Sequence, residues 1–459
     1  MKRMASAWRA GPLAIRDFRL FSLGQLASTI GDYCYAVALP WLVLSAHGST
    51  VLLGTVLACY GVPRTVLIPV GGIFTDKLSP RAVMLAADAV RCVLVAVLAV
   101  FAARGLVSLA FLGPVAALIG AGEGVFLPAS AAIMPSLLPA DELQAGNGLS
   151  AAMIQVGILV GPVVGGILVT AAGSGPAFAL DAASFAVSAG ALALMRGRRA
   201  RGAVPAQEAG VAYAAGQGGS GGTDGTGGTG GAGADNLPTP AAPDTGPADQ
   251  EETSVWRFFL HARVLQAIVL IAVLANFVIS GALEVALPAL AHTRFGAVGY
   301  GALIACFGVG SLAGTLTAAR LGLRRPALGA CASYLIGAVA ISLVPFLGGL
   351  PGAAAAELVF GATANFGNVI IITLLQRLAP ARLLGRVMSL LMLASIGAFP
   401  ASVALSGVIV RSLGPAPFFP ASGIVLTLAV LLAMTLREFR DFGAKAGPTA
   451  AQAAVVAAR

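Results

Sequence analysis

The chain has 459 residues, 58% of them hydrophobic and only 10% charged, with a net charge of +9 and a mean hydropathy of +0.91. A soluble domain carries about 25% charged residues, so a water-soluble globule and a disordered chain are both excluded. The apolar runs recur along almost the whole length, which excludes a single membrane anchor. At about 20 residues per bilayer crossing, there is room for twelve.

Twelve apolar spans follow in chain order: 20–45, 51–74, 82–103, 107–128, 144–171, 175–195, 264–290, 299–320, 327–347, 352–374, 387–411 and 416–436. Met1 to Arg19 is basic and no clean cleavage site follows it, so the first span is expected to be retained. Between spans six and seven the composition changes. Gly202 to Gln250 is rich in Gly, Ala, Thr and Pro. It cannot bury a core and is expected to be a flexible linker. Glu251 to Arg263, with Trp256, Phe258 and Phe259, reads as an interfacial amphipathic helix. The expected organisation is a six-helix bundle over 1–200, a linker over 201–250, a second bundle over 251–440 and a tail over 441–459.

With the N-terminus inside, 23 of the 28 basic residues fall in segments on the inner side and three, Arg104, Arg294 and Arg411, on the outer side. That bias predicts cytoplasmic termini. Basic residues confined to short loops between apolar spans also argue for a bilayer rather than nucleic acid as the partner. The halves repeat. Ala58-Cys59-Tyr60-Gly61-Val62 matches Ala305-Cys306-Phe307-Gly308-Val309, and Ala38-Leu39-Pro40 matches Ala286-Leu287-Pro288. Leu137-Leu138-Pro139-Ala140 resembles Leu378-Ala379-Pro380-Ala381. Offsets of 247, 248 and 241 predict an all-α integral membrane protein of two parallel six-helix repeats.

The loop after span two reads Gly72-Ile73-Phe74-Thr75-Asp76-Lys77-Leu78-Ser79-Pro80-Arg81. It resembles the signature of the major facilitator superfamily: a glycine, an acid four residues on, then basic residues. Ser79 and Pro80 depart from that pattern. The resemblance implies a latch joining the inner ends of the halves, with its partner at Gly385-Arg386. Asp88 and Arg91, three apart on one helix face, are expected to support the latch. The corresponding loop of the second half has Arg320, Arg324 and Arg325 but no acid. Span five carries Gly157, Gly161, Pro162, Gly165 and Gly166, small residues that make a flat packing face. They resemble the antiporter motif of drug-exporting members, with Ser150 where that pattern begins with glycine.

Ionisable groups inside a bilayer are costly and are functional candidates. Asp32 lies mid-span one and Glu123 in span four; both are candidates for carrying the coupling proton. Arg64, Glu284, Asn276, Asn365 and Asn368 are candidates for the substrate cavity. Asp181 and Glu357 are expected near the outer surface in structural roles. Proton-driven drug exporters of the superfamily often carry an arginine in span four; this chain has none there. The five cysteines all fall in apolar spans without a CxxC pair and read as packing residues. No HExxH, GxSxG, Walker loop or His/Cys cluster occurs. Catalysis, ATP drive, metal and cofactor are therefore not expected.

Phe18-Arg19-Leu20-Phe21 with Gly31-Asp32, the Asp88–Arg91 pair, Asp181-Ala182-Ala183-Ser184-Phe185 and Gly385-Arg386-Val387-Met388-Ser389 resemble the bacterial branch containing macrolide and siderophore exporters. That resemblance implies a plasma-membrane antiporter, expected as a monomer, exchanging a small amphipathic molecule for protons by rocker-switch alternating access. An uncoupled facilitator or importer, and a non-transporting scaffold recruiting a partner through the linker, fit the same residues.

Overall fold

The computed structural model describes residues 11–139, 142–196, 263–321, 323, 325–378 and 381–436. The expected linker, the amphipathic segment before Arg263 and the tail lie outside the described residues, as do the side chains of Gly385 and Arg386. Twelve helices among the described residues are long and apolar enough to cross a membrane. They are α1 (Arg16–His47), α2 (Thr50–Lys77), α3 (Pro80–Ala103), α4 (Leu109–Leu137), α5 (Leu143–Ala172) and α6 (Ser174–Leu194). The second half holds α7, α8 (Gly296–Arg320), α9 (Pro326–Leu343), α10 (Gly349–Leu378), α11 (Ala381–Leu413) and α12 (Pro415–Thr435). The seventh, α7, runs as Arg263–Gly281, a π turn over Ala282–Ala286, and Leu287–Arg294.

Most helices overrun the predicted spans, α4 furthest, passing through Pro128 and Pro135 to reach Leu137, while α9 ends at Leu343, short of the expected 347. An interior proline costs a water-exposed helix about 3 kcal/mol. In a membrane bundle, neighbouring helices and local adjustments re-satisfy the freed carbonyls. Hence proline marks no boundary in α4.

Successive helices alternate in direction, so the bundle has two ends. The terminal end carries Arg16, Lys77, Leu194 and Arg320. The distal end carries Gly48, Gly173, Arg294 and Leu413. Between helices in lipid, apolar burial gives no driving force, and close backbone contact takes its place. Two seams of this kind join the halves. In the α2–α11 seam, Gly54 lies against the Val403 carbonyl, and a Cβ on Gly407 would sit 2.6 Å from the Thr50 carbonyl oxygen. In the α5–α8 seam, a Cβ on Gly166 would sit 2.6 Å from the Ala297 carbonyl oxygen, and Gly301 lies against the Pro162 carbonyl. The repeat explains the pairing. Gly61 and Gly308 are equivalent in the two halves; Gly61 meets Phe399 on α11, and Gly308 meets Ile158 on α5.

Both seams lie toward the distal end. There, too, His292 of α7 packs on Trp41 of α1 at 4.8 Å and lies 3.2 Å from the Ser45 hydroxyl. At the terminal end, a Cβ on Gly72 would meet no heavy atom of the described residues within 4 Å, and Asp76 and Lys77 are exposed. The structure is closed distally.

Overpacking a tight contact costs about 1–3 kcal/mol. Gly166→Val or Gly301→Val is therefore expected to open the distal end. The readout is maleimide labelling of Val403→Cys, a position 0% exposed: labelling should accelerate with either seam variant and stay unchanged with Gly72→Val. Equal acceleration in all three would remove the seams as the closing element.

Candidate functional site

Three glycines around Glu123 bring the charged groups of the first half together. Gly120 lies against the Tyr60 carbonyl and Gly124 against the Arg64 carbonyl, so α2 and α4 touch backbone to backbone. Tyr60 and Arg64, four residues apart, share the α2 face that meets α4. Arg64 ion-pairs with Glu123 at 3.0 Å, and the Tyr60 hydroxyl donates a hydrogen bond to the same carboxylate. Between those two glycines, Gly122 leaves room for the Arg91 side chain, whose Cγ would lie 3.1 Å from a Cβ there.

Arg91 of α3 is 2% exposed and Asp88 is 0% exposed. They form a buried pair at 2.5 Å, with the Ser188 hydroxyl donating to the other Asp88 oxygen at 2.6 Å. Phe126 and Phe185 each sit 4.4 Å from the Arg91 guanidinium, where ring faces attract a desolvated cation. The pair was expected to support the latch. It fastens α3 to α6 inside the bundle, and Arg91 also reaches the cavity wall.

That cavity has a volume of about 260 Å³ and opens between α1, α2, α4 and α6. Asp32, Glu123 and Asp181 of the first half line it, with Glu284 from the π turn of α7. Asp32 is the most open of the four: it is exposed, Glu123 and Glu284 are half-buried, and Asp181 is buried. No hydrogen bond or ion pair engages Asp32 among the described residues. Tyr33, Tyr35, Tyr60, Phe126, Phe185 and Phe399 supply the aromatic wall.

The expectation that Asp181 stands near the outer surface is corrected. It is 1% exposed and accepts from the Ser184 hydroxyl at 3.4 Å. It lies inside because Gly31 of α1, having no side chain, leaves space for Asp181 and Ser184. Glu357 is likewise interior, at 0% exposure, with both carboxyl oxygens unpartnered. Of the five residues proposed for the cavity, Arg64 and Glu284 line it. Asn276, Asn365 and Asn368 are not among its lining residues. Asn276 donates to the Ala272 carbonyl at 2.8 Å and to Ser395 at 3.4 Å, and Asn365 donates to the Gly361 carbonyl. Those amides are used within and between helices of the second half. The span-five glycines divide between two neighbours: Gly157, Gly161 and Gly165 pack on α1, while Gly166 and the Pro162 carbonyl pack on α8.

A sequence model of the Major Facilitator Superfamily matches residues 21–402. The chain belongs to the Major Facilitator Superfamily. Among its curated relatives, the enterobactin exporter EntS of Shigella boydii is 24% identical over 93% of each chain. The multidrug efflux pump Tap of Mycobacterium bovis is 29% identical over 189 residues, 39% of this chain and 43% of Tap. The chain thus matches less than half of Tap's length. The solved structure of a D-xylose–proton symporter superposes with a TM-score of 0.65 at 13% identity, covering 93% of this chain and 98% of that one. At that identity the likeness shows the fold alone. Of the superfamily signature residues, Arg81 does something the motif did not announce: it donates to the Leu192 and Ala193 carbonyls at 2.7 and 2.8 Å. A cation there satisfies open carbonyls at the end of α6 and complements its dipole.

Removing one partner of a buried ion pair costs about 3–5 kcal/mol. Arg91→Met should therefore lower the melting temperature in detergent markedly, and Asp88→Asn added to Arg91→Met should restore part of the loss. Additive losses in the double variant would mean the two groups act independently.

Proposed function

We propose that this superfamily transporter exports a small amphipathic molecule, of the antibiotic or siderophore kind, across the bacterial plasma membrane in exchange for protons, its termini facing the cytoplasm. Three observations support the reading. Both curated relatives above are named as efflux proteins. Basic residues concentrate on the terminal side. The observation that carries it is the placement of Asp32, a carboxylate open to an aromatic-walled cavity at the middle of α1.

Each part has a role. The cavity meets the cytoplasm while the seams hold the distal end shut. Asp32 exchanges its proton with the cavity. Glu123 feels that change through the shared charge field and holds Arg64 and Tyr60 on α2, the helix that forms one seam. The Tyr60 ring meets Phe399 of α11 edge-on at 6.4 Å, so a change at Glu123 bears directly on the inter-half contact. Protonation then biases one of the two states. When the distal end opens, the loop with Gly72, Asp76 and Lys77 closes the terminal end, against the start of α11 at Gly385 and Arg386.

The test is proton release from purified protein in weakly buffered detergent with a pH dye, using a panel of macrolides and other amphipathic compounds. Wild type should release protons on binding one of them. Asp32→Asn should abolish release, and Glu123→Gln should reduce it at least several-fold. Binding without release in every variant would contradict antiport and favour an uncoupled facilitator.

A further inference from the structure

Among the described residues, the cavity is unbalanced in charge. Four carboxylates line it, from four different helices: Asp32, Glu123, Asp181 and Glu284. Two guanidinium groups line it, each in an ion pair through a terminal nitrogen, while the Arg91 Nε is buried with no hydrogen-bond partner. Arg64 is paired with Glu123. Arg91 is paired with Asp88, which is outside the cavity wall, and it is held between two phenyl rings at 2% exposure. No lysine or arginine ion-pairs with Asp32, Asp181 or Glu284 among the described residues. The Tyr35 hydroxyl is buried at the wall with no hydrogen-bond partner; it can accept a proton donor from a bound molecule. Tyr33 and Phe399 add ring faces, which attract cations and not anions.

An anion entering this space meets carboxylates first, and the cations it needs are committed or covered. A cation meets two uncommitted carboxylates, Asp32 on α1 and Glu284 on α7, one from each half of the molecule. We infer that the cavity selects amphipathic cations, such as protonated or quaternary amines, over anions of the same size. The charged nitrogen sits between Asp32 and Glu284, and the apolar body lies along the tyrosines and Phe399. Because Asp32 and Glu284 belong to different halves, a cation between them also draws the halves together, which ties charge selection to the conformational change. The inference rests on the reading of this cavity as the substrate site.

Tetraphenylphosphonium and tetraphenylborate are matched in shape and opposite in charge. Equilibrium dialysis of each against the purified full-length chain, with empty detergent micelles as the blank, reads the preference directly. Tetraphenylphosphonium should bind saturably. Asp32→Asn and Glu284→Gln should each weaken it by roughly ten-fold or more, as expected for loss of a nearby opposite charge in a partly shielded site. Glu357→Gln, a buried carboxyl absent from the cavity lining, should leave it unchanged. Tetraphenylborate should bind no more than to the blank. Saturable tetraphenylborate binding equal to or tighter than that of the phosphonium overturns the inference, as does failure of the phosphonium to bind. The two claims fail separately. Phosphonium binding without proton release removes antiport and leaves cation selection standing. Proton release on binding only neutral or anionic compounds removes cation selection and leaves antiport standing.

Discussion

Everything in this molecule depends on glycine replacing the hydrophobic effect as the means of holding helices together. Lipid tails are as apolar as leucine, so burying a leucine between two membrane helices gains little. Removing a side chain so that two backbones touch does more. The carbonyls of Val403, Ala297 and Pro162 sit where a Cβ on Gly54, Gly166 or Gly301 would have to be. Such contacts tolerate almost no adjustment, so each seam is either closed or open. That is the property a two-state transporter needs.

The same device places the charges. Gly120, Gly122 and Gly124 clear space for Tyr60, Arg91 and Arg64, and Gly31 clears space for Asp181. Without these gaps the polar side chains could not reach one another, and each would be an isolated charge in a low-dielectric interior. With them, the two arginines are held in ion pairs, and the cavity keeps carboxylates that are not. The packing that holds the fold and the placing of charges around the cavity thus use the same device, a glycine where two helices touch.

Much of the architecture was legible in the sequence because membrane spans announce themselves by length and hydropathy. The repeat was legible too, and its matches fall where they matter: Gly61 and Gly308 in the two seams, and the segments before Trp41 and His292 where α1 meets α7. The site was only partly legible. Asp32, Arg64, Glu123 and Glu284 stand out as rare charges in apolar runs, and they do line one cavity. Asp181 and Arg91 were assigned elsewhere because depth along a helix says nothing about which way it faces. The glycines flanking Glu123 were the missing signal. A small-residue repeat around a charge points to a close neighbour whose side chains reach that charge. Asparagine is ambiguous for the opposite reason, since an amide bonded to the carbonyl one turn back, as at Asn276 and Asn365, looks the same in sequence as one that lines a cavity.

The central claim is that the distal seams and the terminal opening are two ends of one rigid-body exchange. Spin-label distances at both ends test it most directly. One pair spans the halves distally, at Ser45→Cys on α1 and Arg411→Cys on α11. The other spans them at the terminal end, at Phe74→Cys on α2 and Ala319→Cys on α8, both in a background lacking the five native cysteines. On adding a bound compound or changing pH, the account predicts that one distance lengthens while the other shortens. Distances that change in the same sense, or a terminal distance that moves while the distal one stays fixed, would contradict it.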